Sequence, residues 1–137
     1  MKRTVRWVGC TLLVVAMLVM GGCSKCDLKT EDLAGNWVYL IAWGTCTGGA
    51  DCAGFPTGAA VFAGNVTVDT NGVVYFPNGD PAGLIMDADC SGDVTGTWPG
   101  AVYLQKIEGT GSDNRIDLTA TYVNGAITWT AVLTMTR

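Results

Sequence analysis

Histidine is absent from the 137-residue chain. Without imidazole the commonest general base near neutral pH is missing, and with it the usual hydrolytic triads. Charge is scarce as well, at 15% of residues against roughly 25% in an ordinary soluble domain. Positive charge is scarcest: Lys2, Arg3 and Arg6 crowd the N-terminal tip, and beyond residue 22 only Lys25, Lys29, Lys106, Arg115 and Arg137 remain. Those five face all 12 acidic residues, a net side-chain charge of −7 for residues 23–137. Such a surface repels phosphate backbones and anionic head groups, which excludes nucleic acid as a partner and membrane attachment by charge. Also lacking is an apolar run of the ~20 residues that a spanning helix needs, since the stretch from Trp7 to Gly22 falls short. After residue 22 no segment repeats apolar residues at helical spacing over a window of about 11 positions. Carboxylate pairs of the glycosidase kind are not indicated, because Asp51, Asp69, Asp80, Asp113 and Asp117 fall in turns or on predicted solvent faces. Glu108 has no obvious carboxylate partner. No enzyme activity and no cofactor are expected.

What is present begins at the N-terminus. The basic tip, the apolar run Leu12 to Met20 and the small pair Gly21-Gly22 have the order of a secretory signal segment. Cys23 follows at once. Met20-Gly21-Gly22-Cys23 resembles the lipobox of bacterial lipoproteins, with methionine where such motifs usually carry leucine. The resemblance implies a signal peptide over 1–22, acylation of Cys23 (palmitate among the chains) and a membrane held through that lipid. Several acyl chains anchor firmly, at ~0.8 kcal/mol per buried methylene. Ser24 does not resemble the aspartate that retains lipoproteins at the inner membrane in the best-known systems. The implied location is therefore the cell envelope, at the outer membrane of a Gram-negative bacterium. A plain secretory peptide cut elsewhere, or a short membrane anchor, are the alternatives.

Cys10 leaves with the signal segment, and with Cys23 lipidated four cysteines remain: Cys26, Cys46, Cys52 and Cys90. An even number in a small exported domain predicts two disulfides, for which three connectivities exist. Cys46 with Cys52 closes a loop locally and leaves Cys26 with Cys90; crossed pairings stay open. Thiolate metal binding is disfavoured by the spacing and by an oxidising compartment.

Residues 23–33 read as the lipidated N-terminus and a polar linker, and 34–137 as one domain. From Ala34 to Trp43 the residues alternate, with Trp37, Tyr39, Ile41 and Trp43 on one face and Val38, Leu40 and Ala42 on the other. Period two predicts a strand, and two apolar faces predict that it is either central or covered on both sides. A Gly-rich loop spans 44–58. Strands follow at about Gly64–Asp69, Val73–Phe76, Leu84–Met86, Val94–Trp98 and Ala101–Ile107. The last two, Arg115–Tyr122 and Ile127–Thr136, alternate most cleanly. Asn71-Gly72 and Asn124-Gly125 predict type I′ hairpins. Eight strands on short turns form an antiparallel meander, whose edges close most simply into a small β-barrel; a two-sheet sandwich is the competing architecture.

The domain opens with Leu33-Ala34-Gly35-Asn36-Trp37, which is similar to the Leu-x-Gly-x-Trp start of small bacterial lipocalin-like lipoproteins. That resemblance implies that Gly35 and Trp37 begin the first barrel strand and that the tryptophan packs across the barrel end. It also implies a non-catalytic domain for a small apolar ligand. Aromatic residues are plentiful (Trp37, Tyr39, Trp43, Tyr75, Phe76, Trp98, Tyr103, Tyr122, Trp129), and either fill the core or line a pocket. Trp37, Tyr39 and Trp129 are the pocket candidates. A solid barrel would instead make a structural or protein-contacting module of the envelope, touching its partner through Thr45–Thr57. Asp87, Asp89, Ser91 and Asp93, with Gly92 at the bend, match the first half of a calcium loop. Trp98 stands where the closing carboxylate belongs, so a polar turn is the competing reading.

The lipobox predicts that Cys23→Ala moves the protein from the membrane fraction to the soluble fraction. Fractionation with immunoblotting checks this, and a variant that still sediments with membranes would contradict it.

Overall fold

A computed structural model describes residues 26–137. The signal segment, the lipobox and Cys23 lie outside the described residues. Eight strands run in chain order: β1 (Gly35–Thr47), β2 (Ala60–Val68), β3 (Val73–Tyr75), β4 (Pro81–Ala88), β5 (Asp93–Thr97), β6 (Leu104–Gly111), β7 (Arg115–Asn124) and β8 (Ile127–Thr136). Each pairs antiparallel with the next, and β8 pairs back onto β1, so the meander is a closed barrel and not a sandwich. Closure removes both free edges.

The barrel has two unlike ends. At the base lie the β2–β3, β4–β5 and β6–β7 hairpins together with residues 26–34 and Arg137. Residues 26–33, which composition marks as a polar linker, are packed into this base, with Leu28 and Leu33 fully buried. Thr30–Leu33 forms a single 3-10 turn, and the Trp37 indole N–H donates to the Leu33 carbonyl at 2.7 Å. The Arg137 guanidinium lies 4.3 Å from the centre of the Trp37 ring and donates to the backbone carbonyls of Ala34, Asp32 and Asp113. Trp37 thus seals the base and packs in one core with Val68, Met86, Val94, Ile116, Leu118 and Met135. At the opposite end, the mouth, lie the 48–59 loop and the β3–β4, β5–β6 and β7–β8 connections.

β2 starts at Ala60, β4 spans Pro81–Ala88 and β6 runs on to Gly111, all longer than the alternation indicates, and three further departures have a visible cause. First, β1 runs on to Thr47, with a bulge between Trp43 and Cys46 against β8. A Cβ at Gly44 would collide with the Thr130 hydroxyl, and in its absence that hydroxyl accepts from the Thr45 N–H at 2.7 Å. Second, β6 starts at Leu104, not Ala101, because Tyr103 takes a left-handed conformation with φ 66°. Val102 and Tyr103 have strand chemistry, but the Tyr103 ring is drawn edge-on against Trp129, 6.3 Å between centroids. Its carbonyl accepts from the Val123 N–H. Third, the hairpin turns are not type I′. Neither Asn71 nor Asn124 has positive φ. Asp69–Gly72 is a turn closed by the Gly72 N–H on the Asp69 carbonyl (3.0 Å), with Gly72 alone left-handed. In β7–β8, Asn124 pairs with Ile127, so the turn centres on Gly125-Ala126 with glycine first, the type II′ requirement.

Of the two expectations for β1, the strand is central, paired with both β2 and β8, and its second apolar face is not covered. Val38 and Leu40 stand on the barrel exterior, 56% and 44% exposed. Strand closure places β1 between β2 and β8 without any outer layer, so an apolar outward residue there meets water.

Two disulfides, Cys26–Cys90 and Cys46–Cys52, span 64 and 6 residues. The first fastens the N-terminal segment to the β4–β5 hairpin. The second folds the 48–52 turn back on the end of β1. Loop-closure entropy predicts unequal worth. Replacing Cys26 and Cys90 together by alanine should lower the unfolding free energy by about 4 kcal/mol, and Cys46 with Cys52 by about 2 kcal/mol. Urea unfolding followed by tryptophan emission measures both; equal losses would contradict the unequal assignment.

Candidate functional site

The barrel core fills only the lower part of the interior. Above it, a cavity of about 270 Å³ opens at the mouth between β1, β2, β3, β4 and β8. Tyr39, Ile41, Val66, Val74, Leu84, Leu133 and Met135 form its walls and floor, and Phe62, Phe76, Ala82 and Trp98 its upper edge. These side chains are inward because each occupies the alternate position continuing a buried row. Phe62 lies four residues before Val66 on β2, and Leu133 two before Met135 on β8. The only polar side-chain atoms in this lining are the Tyr39 hydroxyl and the Trp98 indole nitrogen. A ligand rich in hydrogen-bonding groups would leave them unpaired inside, at ~1–3 kcal/mol each. An apolar molecule would therefore enter at lower cost than a polar one.

The rim shares this character. Phe62 is 62% exposed and Val102 68% exposed, with Phe76, Trp98 and Tyr103 also open to solvent. Among the mouth connections only Asp51 and Asp80 carry charge. The rest of the mouth is closed by a stack in which Tyr122 and Trp129 lie parallel, 5.5 Å between centroids. Burial in this stack pushes the Tyr122 phenol above its ordinary pKa. Trp43 meets Phe55 edge-on at 5.4 Å, which holds the 48–59 loop against β1.

The three pocket candidates are therefore dispersed. Tyr39 lines the cavity. Trp37 is at the base, 1% exposed, covered by Leu33 and Arg137, and borders a separate groove of about 330 Å³ with Asn36, Val38, Asn65 and Thr67. Trp129 sits in the aromatic stack beside the cavity. Phe62 is the wall residue that the sequence pattern passes over. The alternation that makes Val66 and Val68 inward, run backward through Gly64, reaches it.

The acidic loop of β4–β5 is arranged as a turn. Asp89 Oδ1 accepts from the Ser91 N–H (2.9 Å), the Ser91 hydroxyl (2.6 Å) and the Asp93 N–H (3.1 Å). Asp87 instead accepts from the Thr30 hydroxyl at 2.5 Å, tying β4 to the base plug. The Asp69 turn repeats the pattern, with Asp69 Oδ1 accepting from Asn71 and Val73. Both loops thus use an aspartate to satisfy backbone donors around a glycine bend. Among the described residues no three His, Cys, Asp or Glu side chains converge as a metal site.

Comparison with protein-family models, with curated proteins and with solved structures finds no match for this chain.

The Asp89 carboxylate sits below its ordinary pKa, chiefly because the Ser91 hydroxyl and N–H stabilise its charged form. A depressed carboxylate contributes stability above its unfolded pKa, and that contribution disappears as pH falls through the folded value. Ser91→Ala should accordingly move the Asp89 pKa upward toward the ordinary carboxylate range. Carbon-detected NMR titration reads the shift, and an unchanged pKa would remove the hydroxyl as its cause.

Proposed function

We propose that this chain is an envelope lipoprotein, anchored through Cys23, whose non-catalytic, lipocalin-like barrel takes a small apolar ligand at its open end. The observation that carries the reading is the wet-facing apolar cavity bounded by Tyr39, Phe62, Phe76, Trp98 and Leu133. A barrel built only for rigidity has no use for an unfilled apolar end, since filling such a space with side chains stabilises a fold. The eight-strand antiparallel meander and the Trp37 plug across its base agree with the architecture that the Leu-x-Gly-x-Trp resemblance implies. At about 270 Å³ the cavity lies just under the ~300–1,000 Å³ common for ligand sites, so it fits a compact molecule or the end of a larger one. The lipobox supplies the location, at the outer membrane of a Gram-negative envelope.

One feature favours a second reading, a structural module that contacts another envelope protein. The 48–59 loop is largely exposed yet doubly held, by Cys46–Cys52 and by Trp43 against Phe55, as a preformed contact loop would be.

The neutral fluorescent probe N-phenyl-1-naphthylamine separates the two. The ligand-binding reading predicts saturable enhancement of its emission by the folded protein and at least tenfold weaker binding by Ala82→Phe, which fills the cavity from β4. Thermal unfolding of Ala82→Phe checks that the barrel is intact. Absence of enhancement with the folded wild type would favour the solid module.

A further inference from the structure

We infer that the barrel is clamped base-down on its anchoring membrane, so that the mouth is never applied to that bilayer and its ligand is exchanged through the aqueous compartment. This rests on the lipid anchor at Cys23 proposed above, and it adds the source from which the cavity is loaded.

The inference follows from the length of the tether and from where it ends. Three residue steps separate Cys23 from Cys26, which fully extended reach at most ~11 Å. Cys26 is not a free linker residue. Its sulfur is bonded to Cys90 in the β4–β5 hairpin, the next N–H (Asp27) donates to the Cys90 carbonyl at 3.2 Å, and Leu28 is fully buried. The rigid body therefore begins at Cys26, and it begins at the base. β7 and β8 each hold 10 residues. At ~3.3 Å per residue and a strand tilt of ~35–45°, base and mouth stand roughly 20–25 Å apart. An inverted pose, mouth on the bilayer, needs a tether longer than that height, about twice the reach available. In every pose that the tether permits, the mouth opens away from the membrane or sideways along it.

The disulfide and the packing of Leu28 together set this limit. Without them, the span between lipid and barrel would lengthen to Leu33, ten residue steps from Cys23 and up to ~35 Å, enough for the barrel to turn over. A bond between a residue three places from the lipid and a hairpin at the base shortens that stretch to its minimum.

Energy transfer to the bilayer surface tests this with the full, acylated protein in phosphatidylcholine vesicles carrying a headgroup-bound acceptor. Donors go on Asp113→Cys, in the β6–β7 hairpin at the base, and on Val102→Cys, at the rim. Intact mass confirms both native disulfides and the acyl chains in each labelled protein. Transfer from the base donor is expected to be at least threefold more efficient than from the rim donor. Equal or greater transfer from the rim of acylated, vesicle-bound protein overturns the inference and leaves the anchor standing. Protein that carries no acyl mass and does not float with the vesicles overturns the anchor, and the inference with it. In the Val102→Cys background, Cys26→Ser and Cys90→Ser combined with Leu28→Ser should raise rim transfer at least twofold by freeing the tether as far as Leu33; unchanged transfer in a folded variant would overturn the role given to this fastening.

Discussion

The hydrogen-bonded ladder between β1 and β8 is the constraint on which the other features depend. β1 is the longest strand, and it serves two neighbours at once: Gly35 to Ala42 pairs with β2, and Val38 to Thr47 with β8. Closing the sheet in this way satisfies every edge but also fixes the interior width, because an eight-stranded barrel leaves an inside only about as wide as its side chains can fill. Within that width, residue size sets where the interior is solid. Trp37, Met86, Leu118 and Met135 fill the base, whereas toward the mouth the inward row on β4 shrinks to Ala82 and the sheet leaves room.

Charge follows the same axis. Asp27, Glu31, Asp32, Asp69, Asp87, Asp89, Asp93 and Asp113 gather at or near the base, where aspartates satisfy hairpin backbone donors and hold the N-terminal plug. The mouth connections carry only Asp51 and Asp80. Two kinds of turn chemistry therefore produce a polar closed end and an apolar open end, without any polar side chain being buried among the described residues. Where carboxylates meet cations, as in Arg115 with Asp117 at 2.6 Å, the pairs are exposed and contribute little to stability.

Much of this architecture is legible in the residues. The alternation of Ile116, Leu118, Ala120 and Tyr122 against polar neighbours fixes β7 and its inward face, and the glycine-bearing turns fix the hairpins in order. Cysteine arithmetic narrows the disulfides to a few pairings but does not choose among them. That choice depends on the β4–β5 hairpin lying beside the N-terminal segment, a contact made only after closure. Local signals misplace elements where distant side chains intervene. Tyr103 leaves strand geometry to meet Trp129, and Gly44 admits the hydroxyl of Thr130 from across the sheet. For the same reason the cavity is half legible. Tyr39 is identified by its row, but Trp37 belongs to the seal and a separate groove beside it, and Trp129 to the stack. An aromatic list cannot say which rings line space and which remove it, because that is decided by the far wall. Phe62 lies where glycine and alanine dilute the period-two signal.

The joining of the first strand to the last has a temporal consequence. Until β8 exists, β1 lacks half of its partners, Met135 is missing from the core, and Arg137 is not there to cap Trp37. Contacts between residues about 100 apart in sequence also make the search for the native state slow. A chain that lacks β8 therefore has no closed barrel, and compaction waits until the C-terminal hairpin has been made.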